Sequence, residues 1–155
     1  MKIHDVAEWF IIADDDVETA EIIKDKKLNN AYYHCSQAVE KYLKSFLYAN
    51  DITINYNHDI TETLNKCISL NNSFQDIMND CDKMTMSIKN LRYPGRMAAT
   101  KEDVGFAFEL VNKTKALKPI QELYNNIIAQ YGVDWKNVLF KNVINIETDV
   151  SPKTN

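Results

Sequence analysis

The chain has 155 residues, of which 45% are hydrophobic and 26% charged, with only three glycines and three prolines. This composition is typical of one globular domain biased towards helix, because residues that interrupt helices are scarce. The formal net charge of −4 argues against a broad phosphate-binding surface. A local basic pocket is still compatible with that charge, and the cations that could converge in one are Lys41, Lys44, Lys89, Arg92 and Arg96.

The cysteines bear on the cellular compartment. Cys35, Cys67 and Cys81 form no CxxC pair, and each falls within a helical pattern. We therefore expect buried, reduced thiols in a cytoplasmic protein. The N-terminus lacks the basic and apolar regions of a signal peptide, and no run approaches the roughly 18 apolar residues that span a membrane. The sequence thus predicts a chain that is complete from its first residue and has no membrane contact.

The first predicted helix covers residues 5–24, with Asp5 as its cap and Glu8 at the spacing of a capping box. An apolar stripe runs along this helix, and Asp16 falls on the flank of the stripe. A carboxylate in such a position needs a partner, because an unpaired charge is costly to desolvate. We expect Asp16 either to pair with a lysine of another helix or to shape a functional site.

The second predicted helix, residues 29–50, carries two different faces. One broad arc is apolar and predicts the core; its members are Ala31, Cys35, Ala38, Val39, Tyr42, Leu43, Phe46 and Ala49. The other side bears a stripe of hydrogen-bonding groups three or four residues apart, namely His34, Gln37, Lys41, Lys44 and Tyr48. An ordered row of such groups makes this stripe the first candidate for a functional surface.

A polar connector separates the second helix from the third. Residues 52–57 are rich in asparagine and are predicted to be extended without pairing in a sheet. His58 follows in the loop before a helix that begins near Ile60 and that Asp59 or Thr61 can cap. This histidine is the best-placed titratable group for a site, because it lies neither on an apolar face nor at a chain end.

The fourth predicted helix spans residues 74–91 and ends at a turn, residues 92–96, that contains a proline and a glycine. Both arginines of the chain, Arg92 and Arg96, lie in this turn around Tyr93. A guanidinium binds phosphate oxygens in a bidentate manner, so the turn is a candidate anion-binding loop. A structural salt bridge is the alternative role for either arginine.

One long final helix is predicted from Thr100, which can open a capping box, to Gly132, which suits a C-terminal cap. Pro119 should kink this helix. We therefore divide the chain into a helical bundle, residues 1–132, and a C-terminal extension, residues 133–155. The extension is expected to be partly ordered or packed on a partner subunit.

Common catalytic and metal-binding motifs are missing from the sequence. It contains no glycine-rich phosphate loop, no zinc-ligand spacing among its histidines and cysteines, and no serine or cysteine in an activating context. We expect no metal and no cofactor. On the residues alone, the chain is an all-α domain of packed helices.

Four segments together resemble the HEPN domain family: the acidic first helix with Asp16, AYYHCSQAVEKYLKSFL at 31–47, His58-Asp59-Ile60, and Leu91-Arg92-Tyr93-Pro94. The resemblance covers about residues 5–131. It implies a five-helix up-and-down bundle with a four-helix core, usually a homodimer with a polar cleft, that binds a nucleotide or RNA. Many members of the family act beside a minimal nucleotidyltransferase as a toxin–antitoxin pair, and several are metal-independent ribonucleases.

The resemblance and the arginine-containing turn imply two sets of site residues. The set that contacts the nucleotide or RNA is Gln37, Lys41, Lys44, Arg92, Tyr93 and Arg96. The set that shapes the site is Asp16, His34 and Glu40. Lysine as a point charge, arginine as a fork and tyrosine as a stacking surface all suit such a ligand. The alternative for the stripe on the second helix is a buried polar network that fixes helix register.

The chain departs from the ribonucleases of the family, in which an arginine is followed a few residues later by a histidine. No histidine follows Arg92 or Arg96, so we expect a binding module that is not an enzyme. Two alternatives stay open. One is a ribonuclease with a non-standard site, in which His58 is the acid or base and Arg92 stabilises the phosphorane. The other is a protein-interaction or scaffold domain that uses the apolar residues 135–140.

Overall fold

The fold was analysed in a computed structural model that describes residues 2–91, 94 and 98–139. Its elements are α1 (Ile3–Ile23), α2 (Leu28–Ala49), α3 (Ile60–Leu70), a 3-10 helix (Asn72–Ile77), α4 (Met78–Leu91), α5 (Lys101–Ala116) and α6 (Lys118–Tyr131). The described residues contain no strand, and residues 135–139 are also helical. The predicted all-α class is thereby confirmed. None of the described helices is long and apolar enough to cross a membrane.

Helix α2 is the central element of the fold. It packs against α1, α3, α4, α5 and α6. All members of the predicted apolar arc except Ala49 are buried, which confirms the core face. Two buried serines, Ser36 and Ser45, each donate a hydrogen bond of 2.6 Å to the carbonyl oxygen three residues earlier. Their hydroxyls can therefore be buried without leaving a donor unsatisfied.

Helices α1 and α2 lie antiparallel. Tyr48, near the end of α2, donates a hydrogen bond of 2.5 Å to Asp5 in the first turn of α1. His34, near the start of α2, lies 2.8 Å from Asp16 in the second half of α1. Early residues of one helix thus contact late residues of the other, as in any antiparallel pair. Carboxylates of α1 accept hydrogen bonds from α2 at both ends of this interface.

The predicted start of the first helix is wrong. Helix α1 begins at Ile3 after Lys2, and no side chain caps it. Asp5 therefore lies inside the first turn and cannot serve as the N-cap, and the capping box with Glu8 does not form. A carboxylate in a first turn still interacts favourably with the positive end of the helix dipole. The sequence pattern correctly indicates an acidic residue near the start of the helix, but it places that start two residues too late.

Two other helices, α3 and α5, begin with the side-chain caps that the sequence predicts. Asp59 caps α3 and accepts a hydrogen bond of 3.1 Å from the backbone N–H of Glu62. Thr100 and Asp103 form the reciprocal capping box of α5. The predicted helix over residues 74–91 differs, because its first turn is part of the 3-10 helix and α-helical geometry begins only at Met78.

The long final helix that the sequence predicts is divided in two. Leu117 has a ψ of 133°, outside the helical region, and separates α5 from α6. Pro119 lies in the first turn of α6, where its missing N–H has no intrahelical acceptor to lose. The proline thus helps to begin a helix and does not kink one. Gly132 ends α6 with a φ of 82°, which confirms the predicted C-terminal cap.

The first part of the C-terminal extension packs on its own bundle. Trp135, only 2% exposed, and Leu139 belong to the same buried core as the helices. The Trp135 ring meets the ring of Tyr124 in α6 edge-on, with 6.3 Å between the centroids. Lys136 forms an ion pair with Asp14 in α1. The remainder of the extension, residues 140–155, lies outside the described residues.

The substitution Trp135→Ala should lower the free energy of unfolding by about 3 kcal/mol or more, because it removes a large buried ring and leaves a cavity. Urea unfolding followed by circular dichroism measures the loss. Val138→Ala is the matched control, since Val138 is 42% exposed in the same helical segment and should change stability by less than about 0.5 kcal/mol. Equal stability of both variants would contradict the docking of this segment.

Candidate functional site

The polar side chains of α2 form two groups, one that contacts α1 and one that faces α4 and the loop before α3. His34 and Lys41 turn towards α1 and meet Asp16. Gln37, Glu40 and Lys44 form a second group, and the loop before α3 and helix α4 contribute to it. We name the first group the Asp16 cluster and the second, with His58 and Lys89, the Glu40 cleft. The sequence places His34, Gln37, Lys41 and Lys44 on one face of the second helix, whereas the packing of α2 between other helices divides them between these two groups.

The Asp16 cluster is internally satisfied. Asp16 Oδ1 lies 2.8 Å from His34 Nδ1, and Oδ2 accepts a hydrogen bond from Lys41 Nζ. The prediction that Asp16 pairs with a lysine of another helix is confirmed. Both carboxylate oxygens are engaged and the charge of Lys41 is largely compensated. Lys41, predicted to contact the ligand, therefore pairs with Asp16 and does not line the Glu40 cleft.

The centre of the Glu40 cleft is a buried ion pair. Glu40 is 2% exposed and Lys44 is 5% exposed, and Lys44 Nζ donates a hydrogen bond to Glu40 Oε1. The interpretation of Lys44 as a ligand-contacting cation needs correction, because neighbouring elements cover this edge of α2. A charge this deep in the protein requires a close partner. Lys44 supplies that partner to Glu40 and is not available to a ligand at the surface.

Glu40 also organises the mouth of the cleft. Its Oε2 accepts a hydrogen bond of 3.5 Å from Gln37 Nε2, and its Oε1 lies 3.5 Å from His58 Nδ1. His58, in contrast with Glu40, has a side chain that is 57% exposed. A cleft of about 80 Å³ opens beside these groups, and its lining residues are Ser36, Gln37, Glu40, His58, Asp59, Ile60, Thr85, Ile88 and Lys89. One buried carboxylate thus orients an amide and an imidazole towards solvent.

One wall of the cleft is formed by α4, and the sets of site residues that the sequence implies contain no residue of this helix. Thr85, Ile88 and Lys89 line it, and Lys89 is exposed. Their spacing of three and four residues, which places side chains on one face of a helix, was the available signal. Nothing in the sequence pairs that face with Glu40, because the contact joins residues far apart in the chain. Lys89, which the sequence offers only as one of several cations that could converge in a basic pocket, is the one that lines the cleft.

Arg92, Tyr93 and Arg96 lie outside the described residues. In the sequence, Arg92 follows the cleft residue Lys89 by three positions. Their suggested roles in anion binding and base stacking stay predictions.

The thiols do not provide a nucleophile. Cys35, Cys67 and Cys81 are buried and unpaired with one another, as the sequence predicts. Burial raises the pKa of Cys35 and of Cys81 to about 12, and it also raises the pKa of Cys67. Since the thiolate is the reactive form, these cysteines are inert at neutral pH.

One group of potential metal ligands occurs in the described part of the chain. It consists of His4, Asp5 and Glu8 at the start of α1. His4 and Glu8 are exposed, and Asp5 already accepts the hydrogen bond from Tyr48. Exposed groupings of this kind are common on protein surfaces, and this one does not adjoin the Glu40 cleft or the Asp16 cluster. It does not form a built metal site.

The fold and the polar groups define a class: an all-helical domain whose central helix carries a buried carboxylate beneath an exposed histidine. The HEPN domain family model matches residues 6–120, from α1 to the first turn of α6. The chain therefore belongs to the HEPN domain family, as the sequence motifs indicate. The match includes both the Asp16 cluster and the Glu40 cleft. Comparisons with curated proteins and with solved structures gave no match.

The variant Glu40→Ala should lower the free energy of unfolding by roughly 3–5 kcal/mol, because it leaves the Lys44 ammonium buried and unpaired. Chemical denaturation measures this loss. Glu109→Ala is the matched control: Glu109 faces Lys113 at the same four-residue spacing but on the surface, and such pairs contribute about 0.5 kcal/mol.

A double variant, Glu40→Ala with Lys44→Met, should recover much of the stability lost in Glu40→Ala, because it removes the unpaired charge. If Glu40→Ala unfolds no more easily than Glu109→Ala, the pair does not hold the cleft together.

Proposed function

We propose that this HEPN domain binds RNA, or a nucleotide, at the Glu40 cleft and does not cleave it. The observation that carries the proposal is the arrangement around Glu40: Gln37 and His58 lie at the mouth of the cleft, each 3.5 Å from the buried carboxylate. Lys89 adds an exposed cation at the same opening. The site therefore offers fixed hydrogen-bonding groups and one positive charge, which together suit a phosphate and a base edge.

Each exposed group has a defined capacity for recognition. The Gln37 amide gives one N–H to Glu40, which leaves its carbonyl oxygen and its second N–H for a base edge. His58 faces Glu40 through Nδ1, so its Nε2 is the nitrogen available to a ligand. Lys89 can approach a phosphate oxygen as a point charge. The charge of Glu40 is compensated by Lys44 and does not repel an anion strongly.

The size of the cleft favours RNA over a fully enclosed nucleotide. Its volume of about 80 Å³ is well below the roughly 300 Å³ at which small-molecule pockets begin. A ligand would place one group in the cleft and lie along the surface for the rest of its length, as single-stranded nucleic acid does. Tyr56, 90% exposed in the connector two residues before His58, supplies a stacking surface for such a strand.

The variant Lys89→Ala should weaken binding of a short fluorescent RNA about tenfold, because it removes one charge-assisted contact. It should also reduce the slope of log K against log salt by about 0.7, the value for one phosphate of a single strand. Fluorescence anisotropy over a salt series measures both quantities. Lys83→Ala is the matched control, since Lys83 lies in the same helix but over the ring of Phe106.

Tyr56→Ala tests stacking in the same assay and should weaken binding without changing the salt slope. Wild-type protein that binds neither short RNA nor any nucleotide would refute the proposed function. Binding that Lys89→Ala and Lys83→Ala weaken equally would refute its location at the cleft.

A metal-independent ribonuclease is the second candidate, and one observation favours it. His58 Nδ1 faces a buried carboxylate at 3.5 Å while the ring itself is exposed, which is the arrangement that orients a histidine for proton transfer. In this mechanism His58 is the acid or base, and Arg92 is the group we propose to stabilise the phosphorane.

This candidate predicts that the wild-type protein cleaves RNA in EDTA and that His58→Ala abolishes the cleavage. Product analysis on a gel measures cleavage. His4→Ala is the control, because His4 is exposed at the far end of α1 from the Asp16 cluster. RNA that stays intact with wild-type protein eliminates the candidate.

We further propose, on the strength of family membership, a homodimer and a nucleotidyltransferase partner in a toxin–antitoxin pair. Two half-exposed apolar side chains, Ile12 on α1 and Tyr33 on α2, support an interface beside the Asp16 cluster. A scaffold role would use such a surface without RNA. The surface that the sequence predicts for this role, residues 135–140, needs correction, because Trp135 and Leu139 are buried in the core of the same chain. Light scattering of the purified chain tests the dimer, and a monomer at all concentrations would exclude it.

A further inference from the structure

A second cavity, of about 290 Å³, lies apart from the Glu40 cleft. We name it the Asp14 pocket, and its lining residues are Phe10, Asp14, Lys115, Ile120, Gln121, Tyr124 and Lys136. They come from α1, α5, α6 and the helical segment 135–139. None of them lines the Glu40 cleft or belongs to the Asp16 cluster, so the proposed RNA site leaves this pocket without a role.

The polar end of the pocket is built around Asp14, whose side chain is 14% exposed. Tyr42 donates its phenolic hydrogen to Asp14 Oδ1, and Lys136 forms an ion pair with Oδ2. Burial and the neighbouring Asp14 raise the pKa of Tyr42 far above its usual range, so the phenol stays a neutral donor. Asp14 therefore has both oxygens engaged and offers no free acceptor to a ligand.

Of the two lysines that line the pocket, Lys115 is the one that Asp14 engages less closely. Its Nζ lies 3.9 Å from Asp14 Oδ1, at the limit of an ion pair, and its side chain is 45% exposed. Two lysines against one carboxylate leave an excess of one positive charge among the lining residues. The side chain of Gln121 donates a hydrogen bond of 2.6 Å to the Lys115 carbonyl oxygen, which ties the backbone of α5 to α6 at this point. An anion can bind the Lys115 ammonium without breaking a strong existing pair.

The other wall of the pocket is apolar and aromatic. Phe10 and Ile120 are buried, and the ring of Tyr124 is partly exposed beside them. The Phe10 and Tyr124 rings lie 6.3 Å apart at an angle of 37°. A planar ring can pack against such a wall in the offset or edge-on arrangements that aromatic pairs prefer. A simple inorganic anion would not use this wall, and a neutral apolar molecule would not use Lys115.

We propose that the Asp14 pocket binds a small aromatic carboxylate with a single ring. The carboxylate would pair with Lys115, and the ring would lie against Phe10, Ile120 and Tyr124. The volume of about 290 Å³ is at the lower end of the range for ligand pockets, roughly 300–1,000 Å³, and suits one ring better than a nucleotide. The pocket is then a second ligand site of the domain, independent of the site proposed for RNA.

Benzoate is the probe for this proposal, and Trp135 is the reporter. Trp135 contacts Tyr124 at the edge of the pocket, and the variant Trp9→Phe leaves it as the only tryptophan. Benzoate should change the Trp135 fluorescence in a saturable manner. Benzamide lacks the charge and acetate lacks the ring, so each should bind at least about tenfold more weakly. Benzamide that binds as tightly as benzoate would overturn the role of Lys115.

The variant Lys115→Met keeps most of the aliphatic stem and removes the charge, so benzoate should bind about tenfold more weakly to it. Lys113→Met is the matched control, because Lys113 is similarly exposed in the same helix but pairs with Asp80. Urea unfolding confirms that both variants stay folded at the assay temperature. No fluorescence change at millimolar benzoate, or equal weakening by the two variants, would overturn the proposal.

Discussion

The polar architecture of this domain depends on the cost of burying the Glu40 carboxylate. A carboxylate that is removed from water needs close donors, and the chain provides them from two places. Lys44 and Gln37 come from the same helix, and His58 comes from the loop before α3. The two groups that reach solvent, Gln37 and His58, each lie 3.5 Å from this carboxylate. The cleft is therefore a consequence of satisfying one buried charge.

Periodicity and capping predict much of this fold because they are local. The apolar arc of α2, the Asp59 cap and the Thr100 capping box each depend on residues within a few positions of one another. The division between α5 and α6 was missed, because a proline is compatible both with a kink and with a helix start, and the backbone at Leu117 decides between them. Family membership follows from the same local motifs.

The candidate site was only partly predictable, because burial depends on neighbours that are distant in sequence. A helical wheel places Lys41 and Lys44 on one face, yet α1 engages the first and the second is buried with Glu40. Asp16 could be expected to find a lysine, since an isolated carboxylate on an apolar flank is unfavourable. The contribution of Lys89 requires knowing that α4 lies beside Glu40, and spacing within α4 cannot give that information.

Three carboxylates of α1 each accept a hydrogen bond from α2, and the pairs are Asp5 with Tyr48, Asp14 with Tyr42, and Asp16 with Lys41. A helix can slide past its neighbour only in steps of about one turn, because side-chain packing allows few registers. Such a step would break all three links together and leave their partly buried groups unpaired. Helices α1 and α2 should therefore move as one rigid unit, so a response to a ligand is expected in the elements that pack around this pair.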